Sequence, residues 1–273
     1  MTKERLDVYL AENSLAKSRE QARALIMAGR VSVNGTKADK AGTFVSETDQ
    51  ITVKEDAIPF VSRGGLKLEK AVTVFPISLE GQVCADIGAS TGGFTDCMLQ
   101  HGAKQVYAID VGYGQLDWNL RNDPRVKVME RTNARYMEPA WFESPLDFAS
   151  IDVSFISLDK ILPPLFRCLC ENGQVAALIK PQFEAGKGKI GKHGVVSDSQ
   201  VHCEVCNKVL AFAAKAGFTI GGLSFSPIKG PKGNIEFLLW LKKFSDCDPM
   251  GSIWSPEQVA DVVVEAHRTC ILA

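Results

Sequence analysis

No stretch of this sequence is long and apolar enough to cross a membrane as a helix. Among its longest apolar runs are Val175-Ala-Ala-Leu-Ile179 and Phe237-Leu-Leu-Trp-Leu241, far below the ~20 residues that span a bilayer. The first residues carry Glu4, Arg5, Asp7 and Glu12 in place of the apolar segment of an export signal, so the cytoplasm is the expected compartment. A surplus of one charge is lacking too. The 31 Lys and Arg stand against 32 Asp and Glu, a formal net charge of −1, which excludes a polycation holding nucleic acid along its whole length. Internal repeats and low-complexity tracts are absent. What remains is ordinary globular composition, 45% hydrophobic and 23% charged over 273 residues. That is enough for a sizeable core and, at roughly 150 residues per domain, for about two domains.

The eight cysteines, without an export signal, do not read as a disulfide framework. Cys203-Glu-Val-Cys206 has the spacing of a metal knuckle, but Cys168-Leu-Cys170 has the wrong spacing for its partner. Buried thiols on a helix are the expectation, and no metal. Positive charge is gathered locally instead. Residues 1–60 balance nine basic against nine acidic side chains, yet Lys17, Arg19, Arg23 and Arg30 fall close together. Arg121, Arg125, Lys127, Arg131 and Arg135 form a second group, and Lys187, Lys189 and Lys192 a third. Each alone reads as a solvated face; together they raise a phosphate-binding surface.

The first fifty-odd residues predict a compact αβ module. Leu6, Leu10 and Leu15 mark a helical stretch giving way near Asn13-Ser14. Ser18 caps a second helix carrying Ala22, Leu25 and Ile26, and Gly29 stops it. Arg30-Val-Ser-Val33 alternates as a strand before the hairpin signal Asn34-Gly35, and Ile51-Thr-Val53 supplies a further strand. Domain boundaries fall at 1–54 for this module, 55–62 for a linker, 63–245 for the main domain and 246–273 for a helical extension. The main domain alternates strands and helices, the mark of a parallel sheet covered on both faces. Its expected strands are Val83–Asp86, Gln105–Ile109, Val126–Met129, Asp147–Ile151 and Gln174–Ile179. Thr219–Phe225 and Ile235–Leu241 come next as an antiparallel pair. Ser255-Pro256 with Gln258 opens a last helix with a capping box.

The first of these strands ends in Asp86-Ile-Gly88-Ala-Ser90-Thr-Gly92-Gly93-Phe94. Glycines allow a tight turn and close approach to a ligand. A dinucleotide fingerprint would read G-x-G-x-x-G, to seat a pyrophosphate. Here Ser90 replaces the second glycine, and an acid precedes the turn, suiting a cationic ligand. Asp110 ends the next strand, where an acid can accept from ribose hydroxyls. Together these suit S-adenosylmethionine, which has a sulfonium, an ammonium and a ribose but no diphosphate. The alternative is a plain strand-to-helix turn.

Residues at the ends of the later strands bear on which atom accepts the methyl group. Amino-group methyltransferases carry an Asn/Asp-Pro-Pro-aromatic segment where this chain has Asp152-Val-Ser-Phe155, and no cysteine succeeds a proline as in carbon methyltransferases acting on pyrimidines. Ionisable residues stand at the strand ends instead: Asp152, Lys180 before Pro181, and Glu236, with Lys67 opening the domain. Ligands of open α/β sheets bind beyond strand carboxyl ends, so Asp152 and Lys180 point to the cofactor crevice.

The order Lys67, Asp152, Lys180, Glu236 resembles that of FtsJ-like ribose 2′-O-methyltransferases. Ser18-Arg-Glu-Gln-Ala22, Leu25-Ile26 and Gly29-Arg-Val-Ser-Val-Asn-Gly35 resemble the RNA-binding domain first seen in small-subunit ribosomal protein four. That module, with Val61-Ser-Arg63-Gly-Gly-Leu-Lys67-Leu after it, is similar to the TlyA family, historically labelled haemolysins, over almost all of the chain to about Leu241. The resemblance implies an α/β fold: a Rossmann-like methyltransferase sheet with a small N-terminal αβ RNA-binding domain. It implies methylation of cytidine 2′-hydroxyls in ribosomal RNA from S-adenosylmethionine. Lys67, Asp152, Lys180 and Glu236 would be catalytic. Asp86, Gly88, Ser90, Gly92, Gly93, Phe94 and Asp110 would bind the cofactor, and Lys17, Arg19, Arg23, Arg30 and Arg63 the RNA.

A ribose hydroxyl attacks only as its proton leaves, and a lysine serves as base only when neutral, against an ordinary pKa of about 10.4. Desolvation and a neighbouring ammonium favour the neutral form; Asp152 and Glu236 favour the charged one. Two other classes compete. A haemolytic or purely RNA-binding protein would need neither Asp86, Asp110 nor the four charged positions. A pseudouridine synthase often carries the same N-terminal module, and Arg5-Leu6-Asp7 superficially matches its Arg-Leu-Asp, but this tripeptide lies inside the binding module.

Overall fold

The computed structural model describes residues 3–13, 15–16, 18–27, 29–46, 48–53, 58–186, 188–191, 193–244 and 254–271. The chain divides into two compact units, Met1–Ala57 and Ile58–Ala273. Residues 55–57 of the expected linker and 246–253 of the expected C-terminal extension lie outside the described residues, as do residues 54 and 245 beside them.

The first unit contains β1 (Glu4–Arg5), α1 (Leu6–Glu12), α2 (Arg19–Met27), β2 (Val31–Val33), β3 (Thr36–Lys37), β4 (Phe44–Val45) and β5 (Ile51–Val53). The helix α1 stops before the expected Leu15, which is exposed. The Ser18 hydroxyl accepts from Gln21 N at 3.2 Å to start α2, as its N-cap chemistry predicts. Asn34 and Gly35 both have positive φ, 52° and 77°, and Val33 faces Thr36 across the two-residue turn, so the expected hairpin forms. Leu6, Leu10, Ala22, Ile26 and Val31 close a small core between the helices and β2.

The second unit contains α3 (Gly65–Val74), β6 (Val83–Ile87), α4 (Gly93–Gln100), β7 (Gln105–Ile109), α5 (Trp118–Arg121), β8 (Val126–Met129), β9 (Leu146–Ile151), α6 (Leu162–Cys168), β10 (Leu169–Ile179), α7 (Pro181–Glu184), α8 (Ser199–Lys215), β11 (Thr219–Phe225), β12 (Phe237–Lys242) and α9 (Pro256–Ile271). Seven strands make one sheet in the order β11-β12-β10-β9-β6-β7-β8. The run from β10 to β8 is parallel, and β12 pairs antiparallel with both β10 and β11. Because strand side chains alternate, each strand feeds two cores. Cys84, Val106, Ala108, Phe148, Leu178 and Trp240 pack on one face; Ile87, Tyr107, Ile109, Ile151, Ile179 and Leu239 pack on the other.

Two strand starts differ from expectation by more than one residue. The β10 strand begins at Leu169, with its register against β9 shifted between Leu169 and Gln174; the polar Glu171-Asn-Gly173 hides this extension from a hydrophobic pattern. The β12 strand begins only at Phe237, leaving Glu236 just outside the ladder, free to turn its side chain to the strand ends. The capping box at Ser255 and Gln258 is formed in both directions, at 2.9 and 3.3 Å. Val259, Val263 and Ala266 of α9 are fully buried in the sheet's own core, so this helix is part of the second unit rather than an appendage to it.

Candidate active site

The sheet order turns between β9 and β6, from which neighbouring strands lead outward in opposite directions. Such a switch point leaves a crevice beyond the strand carboxyl ends. Here it is a cavity of about 490 Å³, lined by Gly88, Ser90, Asp110, Gln115, Asn133 and Asp152 together with apolar Ile87, Ile109 and Ile156. Its size suits a small organic ligand. Gly88 makes the crevice possible. Its φ is +88°, and a Cβ there would stand 2.6 Å from the Asp152 carbonyl oxygen, so only glycine lets the loop after β6 pass the end of β9.

The cofactor residues expected from sequence separate into two sets. Gly88, Ser90 and Asp110 line the cavity. Asp110 ends its strand as expected, and its oxygens accept from Ser90 N at 2.8 Å and Gly112 N at 2.7 Å; each carboxylate oxygen retains a second acceptor site. Asp86, Gly92, Gly93 and Phe94 are not among the cavity's lining residues. Phe94 is a core side chain. A Cβ at Gly92 would meet Leu120, and one at Gly93 would meet Ser62 and the Gly65 backbone, so these glycines serve close packing within the protein.

Asp86 is corrected from ligand contact to loop brace. It is 1% exposed and accepts from Thr95 N at 2.9 Å, Thr95 Oγ1 at 2.7 Å and Ser150 Oγ at 3.1 Å, tying α4 to β9. Burial pushes its carboxyl up to about 6, although the Thr95 and Ser150 hydrogen bonds oppose the shift. A folded-state value above the unfolded one means that the native state holds the proton more tightly. The associated stabilisation is complete below about pH 4 and is lost as pH rises through about 6. We therefore expect the stability of the wild type relative to Asp86→Asn to grow by up to roughly 2–3 kcal/mol as pH falls from 7 to 4. Denaturant titrations of both proteins at several pH values measure this, and a pH-independent difference would contradict the buried, raised carboxyl.

The four charged positions meet. Lys67 comes from α3, Asp152 and Lys180 each come directly after the last residue of a parallel strand, and Glu236 precedes β12. Antiparallel pairing sets Ile179 against Phe237, which brings Glu236 to the end where Lys180 stands. Lys67 Nζ donates to Glu236 Oε2 at 2.6 Å and to Asp152 Oδ2 at 3.3 Å. Lys180 Nζ lies 2.5 Å from Asp152 Oδ1 and donates to Ser154 Oγ at 3.1 Å. Lys67, Lys180 and Glu236 are buried, and the two ammoniums balance the two carboxylates. Burial pushes the Asp152 carboxyl up, but Lys67 and Lys180 outweigh it and hold it below the ordinary value. Burial pushes Lys67 down, and Asp152 and Glu236 more than compensate, leaving its ammonium above the ordinary value. Asp152 and Ser154, the two partners of Lys180, are themselves cavity wall.

The brace behind the loop that carries Ser154 is not marked in the sequence. Phe155, next in the chain, has φ +64° and is 91% exposed, its ring 5.0 Å from that of Phe183. Glu184, 3% exposed, secures the loop by accepting from Ser157 Oγ at 2.6 Å and Leu158 N at 2.8 Å. The only available signal was the acid in Lys180-Pro-Gln-Phe-Glu184, which no periodicity distinguishes from a solvated residue.

Cys203 and Cys206 lie on α8 as free thiols. Among the described residues, the group with three metal-type donors is Glu69, Cys97 and His101; there Glu69 already bonds His101 at 2.6 Å, and burial raises the Cys97 thiol far above its ordinary value.

The second basic group is largely neutralised. Arg121 pairs with Glu130, Arg125 with Asp123 and Lys127 with Glu143, while Arg131 lies over the Tyr113 ring. In the third, Lys189 pairs with Glu204, and Lys187 and Lys192 lie outside the described residues, as does Lys17 of the first. Arg63 is exposed and donates to the Lys229 carbonyl at 2.5 Å. In the first unit, Arg19 and Arg23 both converge on Asp7, with Arg5 added, an arginine that charge clustering along the sequence did not include.

Two lysines and two acids therefore meet beside the crevice, with Asp152, Lys180 and Glu236 at strand ends and Lys67 reaching them from α3. The FtsJ-like methyltransferase model matches residues 60–243 and the S4 domain model residues 4–51; the chain belongs to the FtsJ-like methyltransferase family and carries an S4 domain ahead of it. It is 46% identical over 243 residues to the 16S/23S rRNA (cytidine-2′-O)-methyltransferase TlyA of Mycobacterium tuberculosis, covering 89% of this chain and 91% of that protein. It is 52% identical over 268 residues to YqxC of Bacillus subtilis, provisionally described as an rRNA methyltransferase, covering 98% and 95%. A solved structure from Streptococcus thermophilus, described as a hemolysin, superposes with a TM-score of 0.78 at 50% identity, covering 98% of this chain and 97% of that one.

Proposed function

We propose that this protein methylates the ribose 2′-hydroxyl of cytidine in ribosomal RNA, using S-adenosylmethionine. The observation that carries the proposal is the convergence of Lys67, Asp152, Lys180 and Glu236 beside a crevice walled by Asp110. The relation to TlyA supplies the substrate class.

The crevice fits the cofactor by its chemistry: Ile87, Ile109 and Ile156 offer apolar wall, and Asp110 offers spare acceptor positions for ribose hydroxyls. When bound, S-adenosylmethionine supplies the methyl group and an electron-poor sulfonium. The protein's part begins with Lys180, which enters the step as the neutral amine and accepts the 2′-hydroxyl proton to become an ammonium while the oxygen takes the methyl. Asp152 holds Lys180 in place and shares its negative charge between two ammoniums. When Lys180 is neutral, Lys67 still compensates Asp152, so the site need not leave a carboxylate unpaired in a buried position. Glu236 in turn fixes Lys67. Alignment of oxygen, methyl and sulfur supplies much of the remaining acceleration.

The test is to map 2′-O-methyl groups in ribosomal RNA with and without the protein and its cofactor. New modification at one or more cytidines is the expected result, with a methyl mass added. A mass-neutral change would point to isomerisation, and no change at all would remove the proposal. Among the described residues no helix is long and apolar enough to cross a membrane, so the haemolysin label receives no support from a spanning segment.

A further inference from the structure

We propose that Asp7 is a positioning residue for RNA, whose buried carboxylate gathers Arg5, Arg19 and Arg23 into one preassembled phosphate-binding cluster. This rests on the reading of the first unit as the RNA anchor of a ribosomal RNA methyltransferase.

Asp7 is 0% exposed, although it lies in the first turn of a short surface helix. Its carboxylate accepts four bonds, one at Oδ1 and three at Oδ2. Arg5 Nε reaches Oδ1 at 2.9 Å and Arg5 Nη2 reaches Oδ2 at 3.3 Å; Arg19 Nε and Arg23 Nε each reach Oδ2 at 2.9 Å. The three guanidiniums hold the carboxyl well below the usual carboxylate range, Arg5 contributing most, so it stays ionised at any working pH.

The stoichiometry is unusual for a device of stability alone. Exposed ion pairs contribute little, and one arginine would neutralise one aspartate. Here three cations share one anion, leaving a formal local charge of +2, and the three side chains remain 41–51% exposed. Arg19 and Arg23 are bound through Nε, so the carboxylate fixes the plane and direction of each fork. Long cationic side chains ordinarily lose rotamer freedom on binding a phosphate. Arginine forks match phosphate oxygens when so oriented, and here that ordering is done in advance by Asp7.

The expected effect of Asp7→Asn is opposite in sign to that of simple electrostatics. The substitution raises the net charge by one, which by itself strengthens attraction to RNA. We expect the full-length Asp7→Asn protein to bind a ribosomal RNA transcript about tenfold more weakly at low salt. Its salt dependence should flatten by roughly one to two contacts, at about 0.7–0.9 log units per contact per tenfold salt. Calorimetric titration with S-adenosylmethionine should be unchanged, since that site lies in the second unit. Arg19→Ala with Arg23→Ala should weaken RNA binding and flatten the slope as well. If that double variant binds normally, the anchor reading fails. If it binds weakly while folded Asp7→Asn binds as well as wild type or better, the positioning role fails and the anchor reading stands. Should Asp7→Asn unfold the first unit, Asp7→Glu keeps the charge but moves the carboxylate by one methylene; unaltered affinity in a folded Asp7→Glu protein overturns the proposal, and weakened affinity with a reduced slope supports it.

Discussion

Lys180→Ala should reduce methyl transfer by about 10²- to 10⁴-fold, the range a positioned general base contributes, while affinity for S-adenosylmethionine changes little. The side chain is reached through Asp152 and Ser154 rather than lying among the crevice-lining residues itself, so its removal deprives the attacking oxygen of a proton acceptor without emptying the cofactor site. Single-turnover methylation of ribosomal RNA at saturating cofactor, alongside calorimetric titration, separates the two effects. Turnover near the wild-type rate would exclude Lys180 as the base. A parallel loss of cofactor affinity would mean that it acts on the cofactor instead.

Glu236→Ala should be the most damaging single change to folding in the quartet. Glu236 is 1% exposed, and its contact with Lys67 at 2.6 Å is the shorter of that lysine's two ion pairs. Removing it leaves a buried ammonium compensated only by an aspartate already shared with Lys180. Breaking one side of a buried pair typically costs about 3–5 kcal/mol, and for a unit of this size each kcal/mol lowers the melting midpoint by about 2–4 °C. A fall of roughly 6–20 °C is expected by scanning calorimetry, with activity lost as well. Glu236→Gln, which keeps the shape and an acceptor, should fall less. The sign with pH is set by Lys67: its raised folded-state value means the pair's contribution is intact below the ordinary lysine range and disappears as pH climbs above it. A midpoint within a degree or two of wild type would show that Lys67 is adequately held by Asp152 alone.

The sheet was legible in the sequence because each inner strand is a short β-branched or apolar run closed by a turn signal, and that pattern survives without tertiary information. The start of β10 was not, since Asn172 N donates to the Lys243 carbonyl and Gly173 O accepts from Lys243 N, backbone bonds that hydropathy does not register. Asp152, Lys180 and Glu236 were legible as strand-end residues and Lys67 as an ionisable residue opening the domain, and only the resemblance grouped the four; the register of β12 against β10 is what brings Glu236 into reach. Asp86 shows the opposite limit. An acid beside a glycine turn reads as ligand chemistry, but two hydroxyls and a backbone amide distant in the sequence turn it inward. The same is true of Asp7, whose environment depends on arginines 12 and 16 residues away. Long-range hydrogen bonds decide whether an acid faces a ligand or the protein, and they have no local signature.

The antiparallel placement of β12 has a consequence for biosynthesis. The crevice-lining residues all precede α6 in the chain, but the quartet draws one member from position 67 and another from position 236. A nascent chain halted before β12 would hold the crevice-lining residues and a lysine lacking its nearest counter-ion. On the function proposed above, the quartet is complete only once the strand between β10 and β11 is in place. A product ending before β12 would lack the charged group on which the proposed methyl transfer depends.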